Sequence, residues 1–135
     1  MNQTPKQWTT TALIFGVALG LAAASLPSRK ISGRIELDPS IAAKTKMPAI
    51  VFVIAREENR KGHPLLAKRL DVQRFPVTFV LGPEDAMMGG TLPSRVSLEA
   101  RIDRDGDAAT REPGAPVASL SGVALGTNDV VLRLR

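Results

Sequence analysis

The sequence contains no cysteine and no tyrosine, and it has one histidine, His63, and one tryptophan, Trp8. The missing cysteines exclude disulfides, thiol redox chemistry, haem attachment through cysteine and thiolate-ligated metals. A single histidine leaves no plausible serine–histidine–aspartate arrangement for nucleophilic catalysis. We therefore expect a protein that is not an enzyme, with no catalytic residues, no metal site, no cofactor and no small-molecule substrate.

The sequence also lacks a basic stripe of the kind that binds nucleic acid. Lysine and arginine number 18 against 13 acidic residues, and Lys6 is the only charged residue before residue 28, so the remainder carries 17 − 13 = +4. Acidic and basic residues are interspersed, and aromatic residues make up 4% of the chain. Nucleic acid binding needs clustered positive charge and, for single strands, aromatic side chains on which bases stack. Nucleic acid is therefore not an expected partner.

One long hydrophobic run, residues 8–26, contains no charged residue and ends before a proline. As a helix it would extend about 28 Å, which is close to the thickness of the hydrocarbon core of a bilayer. We expect a retained single-pass transmembrane helix over residues 8–27, preceded by a head of residues 1–7. A cleaved signal peptide is the alternative, because Lys6 precedes the run and Ala22–Ala24 would suit a cleavage site.

Small residues recur within this run at a helical spacing. Gly16, Gly20 and Ala24 lie four residues apart, so they would share one face of a helix. Small residues on one face let the backbone of another membrane helix approach closely. We therefore expect this face to pack against an integral membrane protein.

After residue 27 the pattern is that of β-strands, with short segments of alternating apolar and polar residues and no long amphipathic helix. Residues 49–56 are almost entirely apolar, which predicts a central strand that is buried on both faces. The predicted fold is all-β: a small six- or seven-stranded β-sandwich over residues 35–135, after a joint and the start of the first strand over 28–34. The predicted strands cover 31–38, 49–56, 65–72, 75–81, 96–102, 119–125 and 129–135.

Several short segments, taken together and in order, resemble a known family. The segments are Leu37–Pro39, Val51–Arg56, Pro64–Leu70, Phe75–Leu81, Met87–Gly90, Val96–Ile102 and Asp105–Gly106. In this order and at these spacings they are similar to the C-terminal domain of the cytochrome c-type biogenesis proteins of the CcmI/CycH family. The resemblance extends from Ile35 to Arg104, about half of the chain.

The resemblance implies a β-rich periplasmic domain on a single-pass anchor in the bacterial inner membrane. Members of the family escort apocytochrome c to the haem-ligation machinery, and recognition there is ascribed largely to a helical-repeat segment. These 135 residues contain one apolar run, where the family has two, and no helical-repeat segment. The escort role is therefore not carried over whole, and a docking domain is what the resemblance implies.

A loop rich in methionine and glycine is the first choice for a partner contact. Met87, Met88, Gly89 and Gly90 lie in a long segment between two predicted strands. Methionine side chains adapt to irregular apolar surfaces, and long loops between rigid strands often carry binding function. We expect these four residues to contact a partner protein.

Three other patterns indicate structure more strongly than function. Met47, His63 and the methionine pair offer soft copper ligands, but a typical copper–thiolate site needs the absent cysteine. Asp103, Asp105 and Asp107 begin like a calcium loop, but the later positions do not match, which predicts a solvated turn. Lys68 and Arg69 fall on opposite faces of one strand, which indicates a strand at the edge of a sheet.

Two functions from different classes follow from these observations. The first is a structural accessory subunit that stabilises a larger electron-transfer or cytochrome-containing membrane complex, through its helix face and the loops of its sandwich. The alternative is an assembly factor or chaperone in cytochrome c maturation, which would bind its clients transiently.

Overall fold

Alternating hydrophobicity after residue 30 produces strands in the computed structural model, which describes residues 27–107 and 111–135. The elements are β1 (Ile31–Leu37), α1 (Pro39–Ala42), β2 (Ala49–Glu57), β3 (Leu66–Val72), β4 (Val77–Leu81), a 3-10 turn (Pro83–Asp85), β5 (Arg95–Asp103), β6 (Val117–Ala124) and β7 (Val130–Leu134). All seven predicted strands are present within one or two residues of their predicted bounds. The prediction of an all-β fold is therefore confirmed.

The strands form two sheets. One has three strands in the order β4-β1-β7, and the other has four in the order β3-β2-β5-β6. All pairs are antiparallel except β1 with β7, which run parallel. The strand predicted as central, β2, lies between β3 and β5, and both of its faces are buried at Val51, Phe52, Val53 and Ile54. The prediction of a doubly buried strand is confirmed.

The inner faces of the two sheets meet in one hydrophobic core. Ile31 and Ile35 from β1 pack with Val51 and Val53 from β2, together with buried residues of the other strands. Because side chains alternate along a strand, Phe52 and Ile54 lie on the opposite, outer face of the four-stranded sheet. They are nevertheless buried, so this outer face must also be covered by neighbouring side chains.

The loops gather at the two ends of the sandwich. The chain enters at residue 30, at the same end as the β2–β3, β4–β5 and β6–β7 connections, and we call this the entry end. The connections between β1 and β2, β3 and β4, and β5 and β6 lie at the opposite end. The strand order therefore brings together loops that are far apart in sequence.

The edge strand β3 is protected, as the placement of Lys68 and Arg69 in sequence indicated. The Lys68 ammonium donates to the carbonyl of Val80 on β4 and pairs with Asp85 at 3.2 Å. Leu66 forms an isolated bridge with Ala86. The gap between β3 and β4 is thereby closed by a charged side chain and a short loop, which hinders the pairing of β3 with another chain.

Part of the sequence prediction falls outside the described residues. The predicted head, 1–7, and nearly all of the predicted transmembrane helix, 8–27, belong to this part, as do Gly16, Gly20 and Ala24. Among the residues that are described, no helix is both long and apolar enough to span a bilayer.

The outer face of the three-stranded sheet carries an exposed ion triad. Glu36 accepts a hydrogen bond from Arg34 at 2.6 Å and another from Arg133 at 3.2 Å. These two guanidinium groups lower the pKa of Glu36 below its ordinary value of 4.5. A carboxylate whose pKa is lowered by folding stabilises the fold above its unfolded-state pKa.

We expect the domain to lose stability as the pH falls below about 4.5, because Glu36 must then be protonated and release both arginines. Above that value the contribution is fully present, so stability near pH 7 is insensitive to small pH changes on this account. Urea unfolding of the full chain between about pH 6 and about pH 3 measures the effect. Glu36→Gln is expected to flatten this decline, and an identical decline in the variant would contradict the assignment.

Candidate protein-binding surfaces

The predicted contact loop is fixed at its base and exposed at its tip. The backbone N–H of Met87 donates to the carbonyl of Leu65 at 3.0 Å, next to the bridge between Leu66 and Ala86. The side chains of Met87 and Met88 are 56% and 71% exposed. Two adjacent exposed methionines on an anchored loop form an adaptable apolar surface of the kind that binds proteins. No observation in the structure tests this contact, and it stays a prediction.

The β4–β5 connection, residues 82–94, carries Met87 and Met88, and we call it the methionine loop. It lies beside the point where the chain enters the sandwich. Arg29 donates to the carbonyl of Leu92 at 3.1 Å, and the ammonium of Lys30 lies 3.1 Å from Glu84. A hydrogen bond from the backbone N–H of Glu84, and then the Lys30 contact, lower the pKa of the Glu84 carboxyl. These contacts hold the loop close to residues 29 and 30, which follow the end of the predicted anchor at residue 27.

The other soft ligands named from the sequence do not converge. His63 is exposed on the β2–β3 loop at the entry end, where Met87 and Met88 also lie. Met47 is 40% exposed and precedes β2 at the opposite end. One metal site therefore cannot use Met47 together with Met87 or His63.

The aspartate-rich segment forms a turn that is held by hydrogen bonds from its backbone N–H groups to its own aspartate side chains. One oxygen of Asp103 accepts the N–H groups of Asp105 and Gly106 at 2.9 and 3.0 Å. Asp105 in turn accepts the N–H of Asp107 at 2.9 Å. The structure adds Glu112, which sequence reasoning missed: one oxygen each of Asp103, Asp105 and Glu112 lie within 4.8 Å of one another. The Asp103 and Asp105 oxygens serve the turn, and Glu112 also pairs with Arg104 at 3.7 Å.

A cluster of four charged residues lies on the outer face of the four-stranded sheet, and the sequence did not indicate it. Glu99 on β5 lies 3.0 Å from Arg111, 3.6 Å from Arg56 and 3.8 Å from Arg101. We call these four residues the arginine cluster. Strand pairing produces it, because Arg56 comes from β2, Glu99 and Arg101 from β5, and Arg111 from the connection to β6.

The arginine cluster explains why the outer face of β2 is buried. In the strand register, Phe52 faces Arg101 on one side and Arg69 on the other, and Ile54 faces Glu99. The long aliphatic stems of arginine can cover apolar surface while the charged ends remain near the surface. One signal in the sequence could have indicated that these charged side chains lie together on the outer face. Ser97, Glu99 and Arg101 are at alternate positions of β5, so their side chains share one face of the sheet.

A groove of about 270 Å³ adjoins the arginine cluster. Its floor contains Ser97 on β5 and Ser119 and Ser121 on β6, and its wall is the β2–β3 loop with Arg60 and Lys61. Glu57 and Glu99 also line the groove, where they are outnumbered by the basic Arg56, Arg60 and Lys61. The excess of basic side chains over a floor of small polar residues suits an extended chain with acidic side chains. The arrangement can bind a peptide.

Comparison with known proteins identifies the family. No curated protein and no solved structure matches the chain. The family model described as the cytochrome c-type biogenesis protein H Ig-like domain matches residues 31–134. This range includes every residue from the first position of β1 to the last position of β7, so the match covers the whole sandwich and confirms the resemblance found in the sequence. The chain therefore belongs to the cytochrome c-type biogenesis protein H family, through its Ig-like domain.

Proposed function

We propose that this protein is a non-enzymatic protein-binding domain that acts in cytochrome c maturation, anchored to the bacterial inner membrane with its sandwich in the periplasm. The observation that carries the proposal is the family match over residues 31–134. The match covers the sandwich itself, which also carries the candidate binding surfaces. The relation to cytochrome c maturation therefore concerns this part of the chain. This favours the assembly factor, which was the alternative in the sequence analysis.

The position of the methionine loop supports the anchored arrangement. Arg29 and Lys30 contact the loop that carries Met87 and Met88, and the apolar run of residues 8–26 comes just before them. A helix that ended near residue 27 would place this end of the sandwich within about 15 Å of the membrane surface. Met87 and Met88 would then face partner proteins that are themselves embedded in the membrane.

Deletion of the gene tests the proposed function. We expect the deletion strain to lose covalent haem from its c-type cytochromes, as seen by haem staining of membrane fractions. The full chain should restore the staining. A chain with Met87→Lys and Met88→Lys should restore at most about a fifth of it, because a charged side chain disrupts an apolar contact. Met47→Lys is the matched control at the opposite end and should restore it fully. Normal staining in the deletion strain would refute the proposal.

The accessory subunit remains a second candidate because Gly16, Gly20 and Ala24 repeat at a helix-packing spacing. A stable subunit would co-purify in mild detergent at fixed stoichiometry with a mature complex, whether or not apocytochrome is present. Replacing Gly16 and Gly20 by leucine would then release it from that complex. Association that depends on apocytochrome instead supports the assembly factor.

A further inference from the structure

The free edge of β6 is open over its central part. The N–H and C=O of Val117 bond outward to Arg135, at 3.2 and 3.3 Å. Because the direction of backbone groups alternates along a strand, Ser119 also directs its N–H and C=O away from β5. Within residues 27–107 and 111–135, neither Ser119 nor Ser121 has a backbone hydrogen bond on that side. This edge therefore retains the donors and acceptors that another strand would need.

An exposed leucine lies on the same edge. Leu120 is 41% exposed, although it pairs with the buried Leu98 in the register of β5 and β6. It shares the inner side of β6 with the buried Ala118, so an added strand could cover it with an apolar side chain. On the outer side Ser119 and Ser121 are small and leave space for larger side chains of that strand.

The surroundings of this edge carry most of the net charge of the domain. Three sets of residues surround this edge: those that line the groove, their ion-pair partners, and those beside Gly122. Together they include six basic and three acidic side chains, a net charge of 6 − 3 = +3. The net charge of residues 27–135 is 17 − 13 = +4. These nine are Arg56, Arg60, Lys61, Arg95, Arg101, Arg111, Glu57, Glu58 and Glu99. All thirteen acidic side chains of the protein belong to the described residues. This edge therefore carries an excess of positive charge, which would attract an acidic partner.

We propose that β6 binds an extended acidic peptide segment of a partner protein as an additional strand of the four-stranded sheet. The backbone of the segment would pair with Ser119, and an apolar side chain would cover Leu120. Its acidic side chains would lie over the serine floor of the groove, within reach of Arg56 and Arg111. A second copy of this chain is a poorer occupant, because two basic edges would repel each other. The proposal rests on the proposed protein-binding function and names the chemistry of the partner.

The test uses an acetylated, amidated octapeptide of alternating valine and glutamate, and a control peptide with glutamine in place of glutamate. Each is titrated into the isotope-labelled full chain in detergent micelles and followed by NMR. We expect the acidic peptide to bind about tenfold more tightly at low salt, because its carboxylates complement the groove. The preference should disappear in concentrated salt. The largest chemical-shift changes should fall on residues 117–122.

Two arginines provide a matched pair of variants. Arg111 is 64% exposed and pairs with Glu99 at 3.0 Å, and Arg133 is 60% exposed and pairs with Glu36 at 3.2 Å on the other sheet. Arg111→Gln should lower the affinity for the acidic peptide about three- to fivefold, and Arg133→Gln should leave that affinity unchanged. Leu120→Ser should lower the affinity for both peptides, because it removes the apolar contact. A thermal melt of each variant confirms that it folds.

Several results would overturn the proposal. They are equal affinity for the two peptides, shifts centred on β3, β4 or β7, no response to Arg111→Gln, and self-association through β6 in place of peptide binding. The deletion experiment is independent of these results. Normal cytochrome maturation in the deletion strain, with the acidic peptide still bound at β6, would refute the proposed function alone. Loss of maturation without peptide binding would refute this inference alone.

Discussion

Gly33→Ala is expected to lower the free energy of unfolding by about 3 kcal/mol or more, which for a small domain means loss of much of the folded population. Gly33 lies in β1 opposite the start of β7. A Cβ atom at this position would lie 2.0 Å from the carbonyl oxygen of Val130 and 2.7 Å from its carbonyl carbon. Both atoms belong to backbone, which cannot move aside like the end of a flexible side chain.

The expected consequence is separation of β7 from β1. Val130 begins a strand whose inward residues, Leu132 and Leu134, are fully buried or nearly so. Moving that strand by more than an ångström would open the core. Urea unfolding of the full chain in detergent, monitored by circular dichroism, measures the loss.

Gly62→Ala and Gly89→Ala are the matched controls, because a Cβ atom at either position meets nothing within 4 Å. Both are expected to change the unfolding free energy by less than about 0.5 kcal/mol. If Gly33→Ala were as stable as these controls, the close approach of β1 and β7 would be wrong.

Glu99→Gln is expected to cost about 3 kcal/mol, although it changes neither the length nor the volume of the side chain by much. Glu99 is the carboxylate around which Arg56, Arg101 and Arg111 are arranged. Arg101 is 5% exposed. A guanidinium this deeply buried loses its hydration, so removal of the negative charge of Glu99 takes away part of what offsets that loss.

Two comparisons separate this charge effect from general damage. Glu36→Gln also removes a carboxylate from between two arginines, but that triad is exposed on the other sheet, and solvent should make its loss much smaller. The double substitution of Glu99 and Arg101 by leucine should recover most of the stability lost in Glu99→Gln, since it removes the buried cation as well. Equal losses for Glu99→Gln and Glu36→Gln would contradict the buried arrangement.

Local patterns in the sequence were sufficient to locate the strands. The apolar run of β2 predicted a strand buried on both faces, and Val51 with Phe52 confirms it. The aspartates from Asp103 to Asp107 predicted a turn, and their side chains cap backbone N–H groups there. These features depend on residues within a few positions of each other, so the alternation of side chains and the chemistry of turns are enough to predict them.

The arginine cluster could not be predicted in the same way. Arg56 and Glu99 are 43 positions apart in the sequence, and they meet only because β2 and β5 are neighbours in the observed register. The exposure of Leu120 depends in the same way on β6 being the last strand of its sheet. A shift of register by one residue would place each of these side chains on the other face.

The sequence by itself therefore determined the all-β class, the doubly buried strand, the protected edge at β3 and the family resemblance. Each of these depends on the pattern of residues within short segments. Only the tertiary structure decided the parallel pairing of β1 with β7, the tight approach at Gly33, the four-residue arginine cluster and the open edge of β6. These features arise from pairings between distant segments. The free energy that selects such pairings comes from burying both sheets against one core, and it is a property of the whole chain.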